Sequence, residues 1–166
     1  MTTKYYCGID SGAKGAIAFL NADGSFNSII DMPTPKGFIE GIKNAIWDCD
    51  DSTAVAIESV HPLPGQSCMA SFSYGGNFML AKLLGFWYNI DPVMVSPQKW
   101  KAHYGLKRGK EESKTDYKHR SVELAKKLFP SAVDLLPISK DGRAEALLIA
   151  KYIYDLKQGG NHEQIL

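Results

Sequence analysis

The chain has 166 residues, 45% of them hydrophobic, and a formal net charge of +1. That length suits one domain with a proper core and is too short for two ordinary ones, and no apolar run approaches the span of a bilayer. Three cysteines, Cys7, Cys49 and Cys68, form no CxxC pair; they point away from a disulfide framework or structural zinc and fit a soluble protein of a reducing, intracellular compartment.

Residues 5–9 (YYCGI) are aromatic and apolar, 11–15 (SGAKG) are turn-like, and 16–20 (AIAFL) are apolar again. This is a hairpin pattern, and Asp10 stands at the end of its first strand. Asp often starts a turn. At the end of a central strand, however, an unpaired carboxylate is costly unless a cation or hydrogen-bond donor meets it. A third strand is predicted over 26–32, ended by Pro33 and Pro35. From 37 to 49, Phe38, Ile39, Ile42, Ile46 and Trp47 recur at helical spacing. The run TAVAI at 53–57 then reads as a strand buried on both faces, and it finishes on Glu58. Coming after a helix, this strand is expected to run parallel to the first, which puts Asp10 and Glu58 at the same end of neighbouring strands.

A Pro/Gly-rich loop at 61–66 leads into MASFSYGGN at 69–77, expected as a continuation of the loop beside the acidic strand ends. Phe72 and Tyr74 in it could stack on unpaired bases or serve as core or interface aromatics. Residues 78–87 form an apolar helix with Lys82 as its one charge, either deeply buried or covered by another subunit. Residues 91–95 read as the next buried strand, and Ser96-Pro97 as the capped start of a helix.

Charge is distributed unevenly. Residues 1–98 hold five Lys/Arg and nine Asp/Glu, residues 99–127 ten and four, and residues 128–166 four and five. A basic segment of this kind is what a local phosphate-binding surface leaves in a sequence, although an exposed helix of mixed charge leaves the same trace. Lys101, Lys107, Arg108 and Lys114 surround a Gly-containing loop expected to be mobile, and Lys118 lies on the helix predicted over 113–129.

The last helix, starting near Asp141, places Glu145 in the middle of the stripe made by Leu148, Ile149, Tyr152 and Leu156. An acid there conflicts with a simple amphipathic pattern. Asp141, four residues earlier, shares that face, and it could equally be an N-cap. Asp10, Glu58, Asp141 and Glu145 therefore come from two strand ends and one helix that can converge at one sheet edge. Four carboxylates together either raise one another's pKa values or require cations, and a cluster of hard oxygen ligands is best explained by Mg²⁺ or Mn²⁺, with two ions able to activate water and stabilise the leaving oxygen at a phosphodiester.

These residues carry a resemblance. Gly8-Ile-Asp10-x-Gly12, Ile57-Glu58, Pro64-Gly65-Gln66 followed by Phe72 and Gly75, Val95-x-Pro97-x-x-Trp100-Lys101, and Asp141-Gly-Arg-Ala-Glu145-Ala-Leu occur in the order and spacing of a known family. The chain resembles the RuvC-type Holliday junction resolvases of the RNase H-like superfamily, particularly phage-like members. The resemblance implies a mixed five-stranded sheet, three antiparallel strands then two parallel, flanked by helices, in a single domain over 1–158 with a flexible tail at 159–166. It also implies a homodimer that cuts four-way or branched DNA with two Mg²⁺ (or Mn²⁺) per site, in the cytoplasm of a bacterium or phage-infected host, without a nucleotide cofactor. Asp10, Glu58 and Glu145 carry over as metal ligands. The family's helix bears two ligands three residues apart, whereas position 142 here is Gly, so Asp141 must substitute. On this reading the cationic residues above grip backbone phosphates, with the apolar helix at 78–87 as the dimer face. Two other classes remain open: a branched-DNA-binding module without catalysis, and an ATP-binding protein of the actin and sugar-kinase type, in which Lys14 would face a phosphate.

Overall fold

A computed structural model describes residues 3–12, 14–32, 52–59, 65, 67–87 and 90–159. The helix expected over 37–49, most of the 61–66 loop and nearly all of the tail lie outside the described residues. Five strands, β1 (Tyr5–Asp10), β2 (Ala16–Asn21), β3 (Phe26–Asp31), β4 (Thr53–Glu58) and β5 (Val93–Val95), form one sheet in the order β3-β2-β1-β4-β5. The first three pair antiparallel, while β4 runs parallel to β1 and β5 parallel to β4, as expected. β3 ends one residue short of the run expected for it, and β5 begins two residues inside its own.

Among the described residues there are four helices, α1 (Cys68–Trp87), α2 (Pro97–His103), α3 (Lys114–Leu128) and α4 (Asp141–Gln158); α1 and α4 pack on the sheet, and α2 and α3 pack against α4. Residues alternate between the two faces of a strand. Cys7, Ile9, Val55 and Ile57 face α1, where Phe78, Leu80 and Ala81 pack on them. Tyr6, Ala16, Ala18, Ala54 and Ala56 face the other way, into the larger core built with α2, α3 and α4. By the same alternation, Asp10 and Glu58 fall on the α4 side of the sheet. Between α3 and α4 the chain makes two 3-10 turns, Pro130–Leu135 and Ile138–Lys140. Asp31 at the end of β3 then receives Lys140 (2.6 Å) and Arg143 (2.6 Å), which fixes the start of α4 against the sheet.

Small residues let α4 come very close to β1. A methyl group on Gly8 would lie 2.2 Å from the Ala150 nitrogen and 2.3 Å from the Ala146 oxygen, both backbone atoms that cannot swing aside. Gly8→Ala is therefore expected to destabilise the protein by about 3 kcal/mol or more, the upper part of the overpacking range. Urea unfolding followed by circular dichroism checks this. An unchanged midpoint would mean that α4 is not seated on Gly8.

One expectation is corrected. The 69–77 stretch is not loop but the first half of α1, which begins after Ser67, whose Oγ accepts the Ala70 N–H at 3.2 Å. Gly75 and Gly76 each weaken a helix interior by about 1 kcal/mol, and their pairing made the segment look like a turn. The local cap and the packing of Phe78, Leu80 and Ala81 on the sheet outweigh that preference.

Candidate active site

Asp10 and Glu58 end adjacent parallel strands, with Ile9 level with Ile57. Both are almost fully enclosed, at 8% and 6% exposure. Glu145, one turn into α4, reaches the same region. Burial, then Glu58 and then Glu145, pushes the Asp10 carboxyl up to about 7, against the hydrogen bond that its Oδ1 accepts from the Gly12 N–H at 2.9 Å. Glu58 is likewise raised by burial and then by Glu145. Three of the four predicted acids thus act on one another.

Two residues from α2 meet them. Ser96 caps this helix, with Pro97 in its first turn, as the sequence indicates. Trp100 is fully buried and donates its Nε1–H to Glu58 Oε1 at 2.9 Å. Lys101 pairs with Glu145 Oε1 at 3.2 Å and lies over the rings of Trp100 (4.8 Å) and Tyr117 (5.3 Å). Burial would lower the Lys101 ammonium, but Glu145 and Glu58 outweigh it and hold the group above its ordinary value. The sequence offers Lys101 as one of several phosphate-gripping cations, any of whose lysines could stabilise charge on a scissile phosphate, without choosing among them; the structure puts Lys101 inside the acidic cluster.

Asp141 has a different partner from the other three acids. It is the first residue of α4 and pairs with Lys118 at 2.5 Å; it is not among the groups that shift Asp10 or Glu58. Nor does it act as a cap, since the cap position is Lys140 and no side chain caps the helix. The glycine beside it has a structural cause: a methyl on Gly142 would lie 2.1 Å from the Lys14 carbonyl oxygen. No side chain, acidic or otherwise, fits there.

Tyr74, carried by α1, is brought to the cluster, whereas its neighbour Phe72 projects outward at 81% exposure. A methyl at Gly12 would lie 3.1 Å from Asp10 Oδ1 and 3.6 Å from the Tyr74 hydroxyl, so phenol and carboxylate flank the same glycine. Burial and then Asp10, Glu58 and Glu145 raise the Tyr74 hydroxyl, keeping it protonated. Lys107 and Arg108 are exposed on the 104–113 loop. That loop, expected to be mobile, is tied together: Arg108 donates to the Glu112 carbonyl (2.7 Å), Arg120 to the Lys107 carbonyl (2.9 Å), and Arg120 pairs with Glu112 (2.8 Å). The side chain of Lys114 lies outside the described structure.

The Trp100 contact was not foreseen, though a signal for it exists. Val95 pairs with Glu58, and a helix capped at Ser96 must set its first turn beside that strand end.

No family model matches the sequence, and no curated protein sequence matches it. Among solved structures, T. thermophilus RuvC in complex with Holliday junction substrate superposes with a TM-score of 0.62 at 13% identity, over 94% of this chain and 96% of that one. A second structure of Thermus thermophilus RuvC gives 0.57 at 12% identity, over 93% and 96%. The fold is therefore RuvC-like, of the RNase H-like type, with the mixed five-stranded sheet expected from the sequence. No helix among the described residues is long and apolar enough to cross a membrane.

Proposed function

We propose that this protein is a structure-specific endonuclease that cuts four-way or otherwise branched DNA with divalent metal ions, as a homodimer with two sites. The observation that carries this reading is the convergence of Asp10, Glu58 and Glu145 around Lys101. It is supported by likeness in fold to a RuvC whose structure was solved with a Holliday junction. The donor set suits a hard cation: three oxygen-bearing groups, two of them enclosed and raised by burial and then by neighbouring acids. Asp10, Glu58 and Glu145 would hold Mg²⁺ or Mn²⁺, with Asp141 joining once Lys118 releases it. Bound ions would supply activation of the attacking water and stabilisation of the leaving oxygen.

The chain's own residues prepare that site. The Gly12 amide and the Trp100 indole orient Asp10 and Glu58 through one hydrogen bond each. Lys101 holds Glu145 and places a positive charge where negative charge develops on phosphate. Lys107, Arg108, Lys114 and Lys118 grip flanking phosphates, a contribution that weakens with salt. Phe72 is free to stack on an unpaired base. Two sites related by a twofold axis would match symmetric nicks in a four-way junction. Met79 and Leu83, one turn apart on α1, are exposed and offer an apolar face for the second copy.

A reading as a branched-DNA-binding module without catalysis is favoured by one observation. Among the described residues, no three His, Cys, Asp or Glu side chains are already placed to hold a metal ion. A cleavage assay separates the two readings: four-way, Y-shaped and linear duplex DNA are compared at one salt concentration with and without Mg²⁺, and the cuts are mapped. Paired symmetric nicks confined to the four-way substrate are expected. Tight binding with no Mg²⁺-dependent cutting of any substrate would leave the binding module.

A further inference from the structure

A groove of about 320 Å³ opens beside the acidic cluster, lined by Gln98, Lys101, Leu106, Lys107, Arg108 and Tyr117. It is continuous with the cluster through Lys101, whose ammonium is 3.2 Å from Glu145 and 5.3 Å from the centre of the Tyr117 ring. Every charged group on its wall is positive. Arg108 bonds to a neutral carbonyl, that of Glu112, so its charge stays available, and Arg120 holds the Lys107 backbone. The cationic rim is thus set in place before any ligand arrives. Lys101 (5.3 Å) and Arg120 (5.9 Å) both lie within cation–π reach of the Tyr117 ring and hold it in the wall. Leu106 adds an apolar surface, and Gln98 an amide that can both donate and accept.

Cations, one aromatic ring, an apolar wall and an amide together match the chemistry of a nucleotide: phosphate, base face and base edge. We propose that this groove is a subsite for one unpaired nucleotide of the cut strand, adjacent to the scissile phosphate. Its base lies against Tyr117 and Leu106, its edge meets Gln98, and its flanking phosphates rest on Lys107 and Arg108. The placement rests on the nuclease reading, because it takes the scissile phosphate to lie at Asp10, Glu58 and Glu145. Base preference at the cut would then be read at this nucleotide, by an amide, while the phosphate contacts stay indifferent to sequence.

The test uses a four-way junction with 2-aminopurine placed singly at each nucleotide around the crossover, bound by the full-length protein without divalent metal. One position next to the crossover is expected to change emission several-fold on binding. Tyr117→Leu should lose that response and Tyr117→Phe should keep it. In Mg²⁺, Gln98→Ala should shrink the ratio of cutting rates between the best and worst base at that position by about tenfold, the effect of one amide–base contact. If no position responds, or the response survives Tyr117→Leu, or Gln98→Ala leaves the ratio intact, the subsite is wrong. An emission response in a protein that never cuts would overturn the nuclease reading and leave the subsite standing; cutting without any response would do the reverse.

Discussion

Asp10→Asn is expected to lower Mg²⁺-dependent cutting of a four-way junction by at least about 1,000-fold, while junction binding persists and the metal-free protein becomes more stable at pH 8. Asn keeps the shape of the side chain and can still accept the Gly12 N–H, but it offers a cation no negative charge. The gain in stability follows from the enclosure of Asp10, whose carboxyl is pushed up to about 7 by burial and then by Glu58 and Glu145. A carboxyl raised on folding favours the folded state fully only below its unfolded value, near 3.8. That contribution is lost as pH climbs through about 7, because the folded protein must then hold a charged group that the unfolded chain holds more easily. Asn escapes this penalty, so the variant's advantage should be small at pH 4 and grow up to pH 8. Each kcal/mol of it shifts Tm by roughly 2–4 °C in a chain of this size. Melting curves at both pH values, beside cutting and binding assays, test the two arms together. An Asn variant that cuts as fast as the parent would remove Asp10 from the site. A Tm difference independent of pH would mean that Asp10 is not held uncharged. The same proton makes metal affinity rise through pH 7, since a bound cation must displace it.

Asp10 and Glu58 are legible in the sequence because each ends an otherwise apolar run, and two-residue alternation assigns both to the α4 side of the sheet. Glu145 is legible because it interrupts a helical apolar stripe. The antiparallel hairpins and the parallel β4 follow from turn chemistry and crossover handedness, both local or nearly local rules. What could not be read depends on contacts between distant segments. Asp141 shares a face with Glu145 by spacing, but α3 brings Lys118 to it across the bundle. Gly142, a departure from the resolvase pattern when only the sequence is compared, is a packing requirement of the β1–β2 turn. Lys101 is one of ten cations in its segment. Only the seating of α2 at the end of β5, beside Glu58, distinguishes it from the rest. Tyr74 was hidden behind Gly75 and Gly76, whose low helix propensity concealed the helix that carries it.

Lys101 is where those distant contacts produce the second large effect. Lys101→Met is expected to lower cutting by about 100-fold or more and, at pH 8, to tighten metal binding in the absence of DNA. The two changes run in opposite directions because the ammonium has two relations to the acids. Bound to Glu145 and acting on Glu58, it occupies the electrostatic place of a cation, so a metal ion must compete with it. On the nuclease reading, an arriving phosphate would draw the same charge toward itself, releasing Glu145 and stabilising the oxygens of the scissile group. Met preserves much of the aliphatic stem that lies against Trp100 and Tyr117, so the loss is mainly one of charge. Without the lysine, the proton affinity of Asp10 and Glu58 rises further, because Lys101 now lowers both. The gain in metal affinity should therefore vanish below pH 6, where the proton takes the place that the ammonium left. Titration of Mn²⁺ by electron paramagnetic resonance at pH 6 and pH 8, with single-turnover cutting at pH 8, reads both effects. A lysine that merely braces the fold would weaken metal binding and cutting together at both pH values, and that parallel loss would sink the assignment.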